Sequence, residues 1–170
     1  MDVWLTVASK REVRQYASRP VPAEVERRIL DAGRVAGSSA NKQARRFIVV
    51  ADSERRERLA DAVYAPGNVR GATLVVAIAA WGRGPTGFDV GRAAQNMLLA
   101  GWGEGVGSCP NGIADPDAAA KVLGLGDDER AVIVLTFGYP ARAVDPERRL
   151  ADEWIARADR QPFDEIVEHL

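Results

Sequence analysis

The stretch DVGRAAQNMLLAGWGEGVGSCPNG, residues 89–112, sets the fold class of this 170-residue chain. Its apolar residues recur at helical spacing and predict one buried stripe, formed by Val90, Ala93, Ala94, Met97, Leu98 and Gly101. The opposite flank is mild as well, so we expect the helix to be buried on most sides. Glycines at alternate positions then end the helix, and 106–109 predicts a short strand before a turn at Pro110-Asn111-Gly112.

The rest of the chain alternates helices with apolar strands around this central helix. Continuous apolar runs predict strands at 47–50, 74–80 and 131–137, and such runs are typical of sheets covered on both faces. Helices are predicted at 3–9, 22–36, 53–63, 116–123, 148–158 and 161–170, and Pro66-Gly67-Asn68 is expected to end the third of them. The pattern indicates an α/β or α+β class with a covered sheet.

Composition excludes several classes of protein. The net charge is −1, so there is no general basic field for nucleic acid. The single cysteine, Cys109, excludes an internal disulfide, and the most apolar run, 72–81, is too short to cross a membrane. The only histidine is His169, which argues against Ser-His-Asp and Cys-His enzymes and against a zinc cluster. We expect one domain over residues 1–170 and a cytoplasmic protein.

Two polar stretches are candidates for ligand binding. Lys10, Arg11 and Arg14 could hold a phosphate, which arginine binds with two parallel hydrogen bonds, or could form a solvated basic surface. Residues 37–43 are small and polar and follow a helix, so they could contact a ligand or serve only as a helix-ending loop. Spacing alone leaves both alternatives open at each place.

Four stretches of the chain, in order, resemble motifs of the nitroreductase family of flavin enzymes. Residues 93–109, AAQNMLLAGWGEGVGSC, resemble the central-helix motif A-x-x-N-[ML]-x-L-A followed by G-[LV]-G-S-C. Residues 10–16 resemble R-R-S-[VI]-R-x-[FY], and 37–47 resemble P-S-x-x-N-x-Q-P-W-x-F. Residues 160–167 resemble the closing R-x-P-[LF]-[DE]-E-[IV]-V motif.

The resemblance implies an α+β, three-layer fold: a mixed central sheet flanked by helices, with the long central helix at a homodimer interface. It implies FMN as the cofactor and NAD(P)H as the electron donor. The backbone of Asn111 and Gly112 would face flavin N5, the atom that accepts hydride. The other residues implied to bind the cofactor are Lys10, Arg11, Arg14, Ser38, Ser39, Asn41, Gln43, Pro110 and Arg160.

Three departures from the family motifs concern these sites. Glu12 stands where the family commonly has serine, and a carboxylate there would repel a phosphate. Gly37 replaces a proline, and Ala44-Arg45 replaces Pro-Trp, which changes the shape of the wall along the flavin ring.

Cys109 is interpreted as a packed core thiol rather than a nucleophile, because no neighbouring cation or histidine indicates activation.

The implied activity is reduction of a small electron-poor acceptor, such as a nitroaromatic or a quinone, by NAD(P)H through bound FMN. Such chemistry needs no side-chain acid or base, in agreement with the lack of an internal histidine. One alternative is a flavin- or deazaflavin-binding protein without reductase turnover, and another is a relative that binds no flavin. No nucleic acid or membrane partner is expected.

Overall fold

The computed structural model describes all 170 residues, which divide into two compact units. The larger unit comprises residues 11–144 and contains every strand of the sheet. The smaller unit joins the two ends of the chain, residues 1–10 and 145–170. No helix of either unit is both long enough and apolar enough to span a bilayer.

The larger unit is built on a four-stranded antiparallel sheet. The strands are β1 (Arg45–Val49), β2 (Leu74–Trp81), β3 (Gly107–Asn111) and β4 (Glu129–Gly138), and their order in the sheet is β1-β2-β4-β3. All three pairings are antiparallel. Because β1 and β3 are the two edge strands, the segments that adjoin them lie at opposite edges of the sheet.

Helices cover both faces of this sheet and produce three layers. Helices α2 (Ala23–Arg34) and α5 (Thr86–Gly103) pack on one face, around Ile29, Met97 and Phe137. Helices α3 (Ser53–Asp61), α4 (Pro66–Gly71) and α6 (Pro116–Leu123) pack on the other, around Leu59, Val69 and Leu123. Alternate residues of β2 join the two clusters, since Val76 and Ile78 face α5 whereas Val75 and Ala77 face the second layer. Burial on both faces explains the continuous apolar run of β2.

The structure confirms the three-layer α+β class and corrects the predicted mixed sheet. The only parallel pairing is an isolated bridge between Glu12 and Ser108, outside the ladder. The mixed sheet was an expectation from the resemblance, and the apolar runs could not test it, because they report that both faces of a strand are buried and say nothing about strand direction.

Two local predictions were also wrong, both at prolines. Pro66 begins α4 instead of ending a helix, because its fixed φ suits the first helical turn. Pro110 and Asn111 belong to β3 rather than to a turn, and Pro110 is tolerated there because β3 is an edge strand. Asp52 and Asp115 cap α3 and α6, since each carboxylate accepts a backbone N–H of its helix.

The smaller unit contains three short helices. Helix α1 (Val3–Ser9) packs against α7 (Ala151–Ala156), and α8 (Phe163–Ile166) follows near the end of the chain. Both C-terminal helices are shorter than predicted. Trp154 is buried in this unit, and its indole N–H donates to the carbonyl of Pro146 at 2.9 Å. Large apolar side chains remain exposed here, namely Val3, Trp4, Val7, Leu150, Ile155, Phe163, Ile166 and Leu170.

The central helix α5 is buried on one side only. All six residues of its predicted stripe are buried, as are Asp89 and Trp102. The opposite flank, with Gly91, Arg92, Gln95 and Asn96, is exposed and lines a groove of about 600 Å³ together with Phe88 and residues 35–37. The exposed flank therefore carries few charged residues, yet no other part of the chain covers it.

Candidate active site

The N-terminal segment, residues 11–16, lies along the edge strand β3. The amide of Val13 donates to the carbonyl of Ser108 at 2.9 Å, next to the isolated bridge between Glu12 and Ser108. The segment then crosses to the end of β4, where Tyr16 bridges to Pro140. Residues 12–14 are therefore held beside β3 by backbone pairing.

A pair of glycines makes this close approach possible. Gly107 of β3 and Gly138 of β4 are direct partners in the sheet. A Cβ added to Gly107 would lie 2.7 Å from Val13, and one added to Gly138 would lie 2.9 Å from the ring of Tyr16. Real Cβ atoms do not tolerate such distances, so any larger residue would push the N-terminal segment off the sheet. We call Gly107 and Gly138 the glycine pair.

The N-terminal segment forms one wall of a groove of about 320 Å³. Its lining includes Arg14, Arg142 and Glu12, together with Pro140 and Val144. Two guanidinium groups in one groove suit a phosphate, which they can bind with paired hydrogen bonds. Arg142 has no local sequence signal and was not predicted, because only folding brings it beside Arg14. Arg11 is half-buried and does not line the groove.

The side chain of Asn111 makes its hydrogen bonds inside the protein. Its Nδ2 lies 3.0 Å from the carbonyl of Cys109 and 3.3 Å from the Thr136 hydroxyl, and its Oδ1 accepts from Asn68 at 2.8 Å. Asn111 is 2% exposed as a whole residue, so its side chain is not available to a ligand. Its neighbour Pro110 is exposed, and Gly112 is half-buried.

Tyr64 is a site neighbour that the sequence analysis missed. Its amide donates to the carbonyl of Gly112 at 3.1 Å. Its ring lies so close that a Cβ on Gly112 would be 3.1 Å away from it. Tyr64 is nevertheless 78% exposed, which is unusual for an aromatic residue. An aromatic ring therefore stands open to solvent beside the end of β3.

The second candidate region is the left-handed loop, residues 38–43. Ala40, Asn41 and Gln43 have φ values of 49°, 53° and 51°, a conformation that costs on the order of 1–2 kcal/mol per residue other than glycine. The Ser39 amide donates to the carboxylate of Asp89 on α5 at 3.0 Å, and the Gln43 amide donates to the Ser38 hydroxyl at 2.9 Å. The side chains of Ser39, Asn41 and Gln43 are exposed.

Arg45, just after the left-handed loop, is buried against the end of α2. Its guanidinium is buried and donates to the carbonyls of Ala36 and Gly33, at the C-terminal end of α2. A cation is favourable at that end of a helix, where carbonyl groups lack intrahelical partners. Arg45 therefore anchors the end of the left-handed loop to the C-terminal end of α2 through these hydrogen bonds.

The sheet keeps the two candidate regions apart. Arg45 lies level with Arg130 at the start of β4, whereas Ser108 pairs with Phe137 near its end. Seven residues of strand and three inter-strand spacings amount to about 24 Å by about 14 Å. The left-handed loop and the N-terminal segment thus lie at diagonally opposite corners, too far apart for one FMN to contact both within one chain.

The smaller unit carries the remaining predicted site residues, Lys10 and Arg160. Lys10 is half-buried and is the last residue of that unit before the N-terminal segment. Arg160 is exposed, and its guanidinium donates to the carbonyl of Ala158 at 2.5 Å. Their roles towards a phosphate stay predictions.

Comparisons with known proteins identify the family. The model of the nitroreductase family matches residues 7–85 and 83–139. NADPH-flavin oxidoreductase of Vibrio harveyi is 27% identical over 164 residues, which cover 85% of this chain and 68% of that protein. A candidate nitroreductase of Desulfovibrio desulfuricans, solved in complex with FMN, superimposes with a TM-score of 0.82 at 26% identity, covering 100% of this chain and 98% of its own.

A third comparison covers nearly the whole of both chains. A nitroreductase family protein of Clostridium difficile superimposes with a TM-score of 0.85 at 24% identity, covering 99% of this chain and 98% of that one. The family match itself spans the N-terminal segment, the left-handed loop, the central helix and the glycine pair. The chain belongs to the nitroreductase family.

Proposed function

We propose that this protein is an FMN-dependent oxidoreductase that takes electrons from NAD(P)H and passes them to a small electron-poor acceptor. The observation that carries the proposal is the groove in which Arg14 and Arg142 lie together beside the N-terminal segment. The donor set fits the cofactor, since two guanidiniums suit its phosphate, and exposed hydroxyl and amide groups of the left-handed loop suit its polar ring edge. The related flavin proteins support the same assignment.

FMN, when bound, supplies the two-electron chemistry, accepting a hydride from NAD(P)H and returning two electrons to the acceptor. The chain's own task is to bind and orient. Arg14 and Arg142 would hold the phosphate, and the backbone of Asn111 and Gly112 would face the reactive edge of the ring. A nitro group then becomes a nitroso group and water, or a quinone a hydroquinone, with protons drawn from solvent.

We further propose that two copies of the chain form each cofactor site. Because the left-handed loop and the N-terminal segment lie at opposite corners, Ser38, Ser39, Asn41 and Gln43 of one copy complete the site of the other. The exposed flank of α5 and the exposed Val35 and Phe88 beside it support such an interface, since monomers seldom leave broad apolar surface uncovered.

Tyr64 is proposed to form one wall of the acceptor site. Its exposed ring lies against Gly112, beside which we propose that the reactive edge of the flavin binds. An aromatic face gains about 0.5–1.5 kcal/mol from an offset aromatic partner, so it would favour flat aromatic acceptors. The acceptors we propose are nitroaromatics and quinones.

Spectroscopy tests the proposal. Purified protein reconstituted with FMN should lose its visible flavin band when NADH or NADPH is added without oxygen, and regain it with a nitroaromatic or a quinone. A bound flavin that neither nucleotide reduces would support a flavin- or deazaflavin-binding protein without turnover. Failure of the apoprotein to bind FMN would overturn the proposal.

A further inference from the structure

A chain of hydrogen-bonded polar side chains runs through the larger unit, between the sheet and α4. It consists of Asn68 on α4, Asn111 on β3, Thr136 on β4, and Tyr16 at the end of the N-terminal segment. We call these four residues the polar network. Asn68, Asn111 and Thr136 are 7%, 2% and 0% exposed. Apolar side chains could fill the same space, so the polarity asks for an explanation.

The Asn111 amide is the centre of the network. Its Nδ2 donates among the carbonyls of Cys109 and Val134 and the Thr136 hydroxyl, at 3.0, 3.3 and 3.3 Å. Its Oδ1 accepts from Nδ2 of Asn68 at 2.8 Å. The three acceptors around Nδ2 fix the orientation of the Asn111 amide. A flip of this amide therefore cannot make up for the loss of the Asn68 donor.

Thr136 and Tyr16 carry the network across to the N-terminal segment. The Thr136 hydroxyl donates its single proton to the hydroxyl of Tyr16 at 2.9 Å, and the carbonyl of Cys109 is an alternative acceptor at the same distance. The Tyr16 hydroxyl donates to the carbonyl of Val13 at 2.6 Å. Burial raises the pKa of Tyr16 well above its usual value, so its hydroxyl remains a donor at neutral pH.

The two ends of this network are the two places where the chain is proposed to hold FMN. One end is the backbone at Asn111 and Gly112, and the other is the residue pair Val13-Arg14. Directional hydrogen bonds fix the relative position of two backbones more tightly than apolar packing, which tolerates shifts. We therefore expect the network to set the distance between the groove lined by Arg14 and Arg142 and the end of β3.

We propose that Asn68 and Thr136 are positioning residues that hold the end of β3 in register with the N-terminal segment, so that the flavin's reactive edge meets the backbone of Asn111 and Gly112. The inference rests on the proposed function. Neither residue needs to touch the cofactor, because both act through Asn111.

Two substitutions break the network and two serve as matched controls. Thr136→Val removes the hydroxyl with little change in volume, and Asn68→Leu removes the only donor to Asn111 Oδ1. Thr136→Ser keeps the hydroxyl and should rescue. Thr73→Val removes a hydroxyl that bonds the carbonyl of Phe137 at 3.4 Å, next to Thr136 and outside the network.

Cys109 supplies a readout that needs no flavin. It is the single cysteine of the chain, is 2% exposed, and has its Sγ 3.6 Å from Nδ2 of Asn68. In apoprotein, the rate of its modification by a thiol reagent reports how firmly β3 is held. We expect that rate to rise in Thr136→Val and Asn68→Leu and to stay at the wild-type value in Thr136→Ser and Thr73→Val.

The decisive measurement separates FMN binding from FMN reduction. A misplacement of about 1 Å can cost up to about a hundredfold in rate, so Thr136→Val and Asn68→Leu should slow anaerobic single-turnover reduction by at least about tenfold. Their FMN dissociation constants should change by less than about threefold, because the arginines are retained. The nucleotide used is whichever of NADH and NADPH reduces the wild type faster.

The possible outcomes distinguish failure of the positioning role from failure of the proposed function. Unchanged reduction in both network variants, or equal slowing in Thr73→Val or Thr136→Ser, would overturn the positioning role and leave the proposed function intact. Faster thiol modification with normal reduction would mean a purely structural network and would also overturn it. Wild-type protein that fails to bind FMN would overturn the proposed function itself. If Asn68→Leu does not fold, the Thr136 pair decides.

Discussion

The two candidate halves of the flavin site are held in contrasting ways. The N-terminal segment is paired to β3, seated on the glycine pair and tied to the buried polar network. The left-handed loop is exposed, carries three strained residues, and is fixed mainly by Asp89 and the buried Arg45. The fold thus holds one candidate half by its own contacts, whereas the other half lies exposed on the surface.

The largest effect is expected from Arg14→Ala. Loss of one charge-assisted phosphate contact costs on the order of 1.5–3 kcal/mol, which corresponds to a loss of roughly ten- to a hundredfold in FMN affinity. Arg11→Ala is the matched control and should lose less, since Arg11 does not line the groove. Equal flavin retention in both variants, by titration of apoprotein, would contradict the phosphate assignment.

Gly107→Ala tests the glycine pair. The new methyl group would meet Val13 at 2.7 Å, and overpacking of this kind costs about 1–3 kcal/mol. We expect a lower free energy of unfolding in urea and weaker FMN binding together. Gly103→Ala, with no atom within 4 Å of the added Cβ, should leave both unchanged. A neutral Gly107→Ala would show that the N-terminal segment is not seated as described.

Glu12→Ser examines the one carboxylate of the groove that Arg14 and Arg142 line. We expect this carboxylate to oppose a phosphate bound there. Removing a like charge at about 4 Å gains roughly 1 kcal/mol at a solvent-exposed site, and the variant should bind FMN up to about tenfold more tightly. Riboflavin, which lacks the phosphate, should gain much less. Weaker FMN binding would identify Glu12 as a partner that holds a neighbouring cation in place.

Asp89→Ala probes the other half of the comparison. It removes the acceptor for the Ser39 amide and should release the left-handed loop at a cost of about 1 kcal/mol in FMN affinity. Asp89→Asn retains an oxygen acceptor and should behave like the wild type. The two variants are compared by FMN titration of apoprotein, and equal affinities would show that the loop does not contact the cofactor.

The smallest effect is a pH dependence of stability. Because the pKa of Tyr16 is raised in the folded chain, its contribution is complete below its unfolded pKa of about 10 and is lost as the pH rises above that value. The stability advantage of the wild type over Tyr16→Phe should therefore shrink between about pH 9 and pH 11. The exposed Tyr64 provides the control, since Tyr64→Phe should show no such trend in urea unfolding.

Sequence patterns predicted the elements that hydrophobic periodicity and continuous apolar runs define. The buried stripe of α5 and the strand β2 are both confirmed. Strand direction, Pro66 and Pro110 were not predictable, because burial is symmetric with respect to direction and proline suits both a first helical turn and an edge strand. Arg142 and Tyr64 gave no local signal, since only folding brings them beside Arg14 and Gly112.

The diagonal separation of the two half-sites has a genetic consequence. In a dimer whose sites each draw on both chains, a defect in Arg14 and a defect in Asn41 damage different halves. A hybrid of one Arg14→Ala chain and one Asn41→Ala chain would contain one site that is doubly damaged and one that is wholly intact. Two inactive parent dimers would then yield a hybrid dimer in which one of the two sites works.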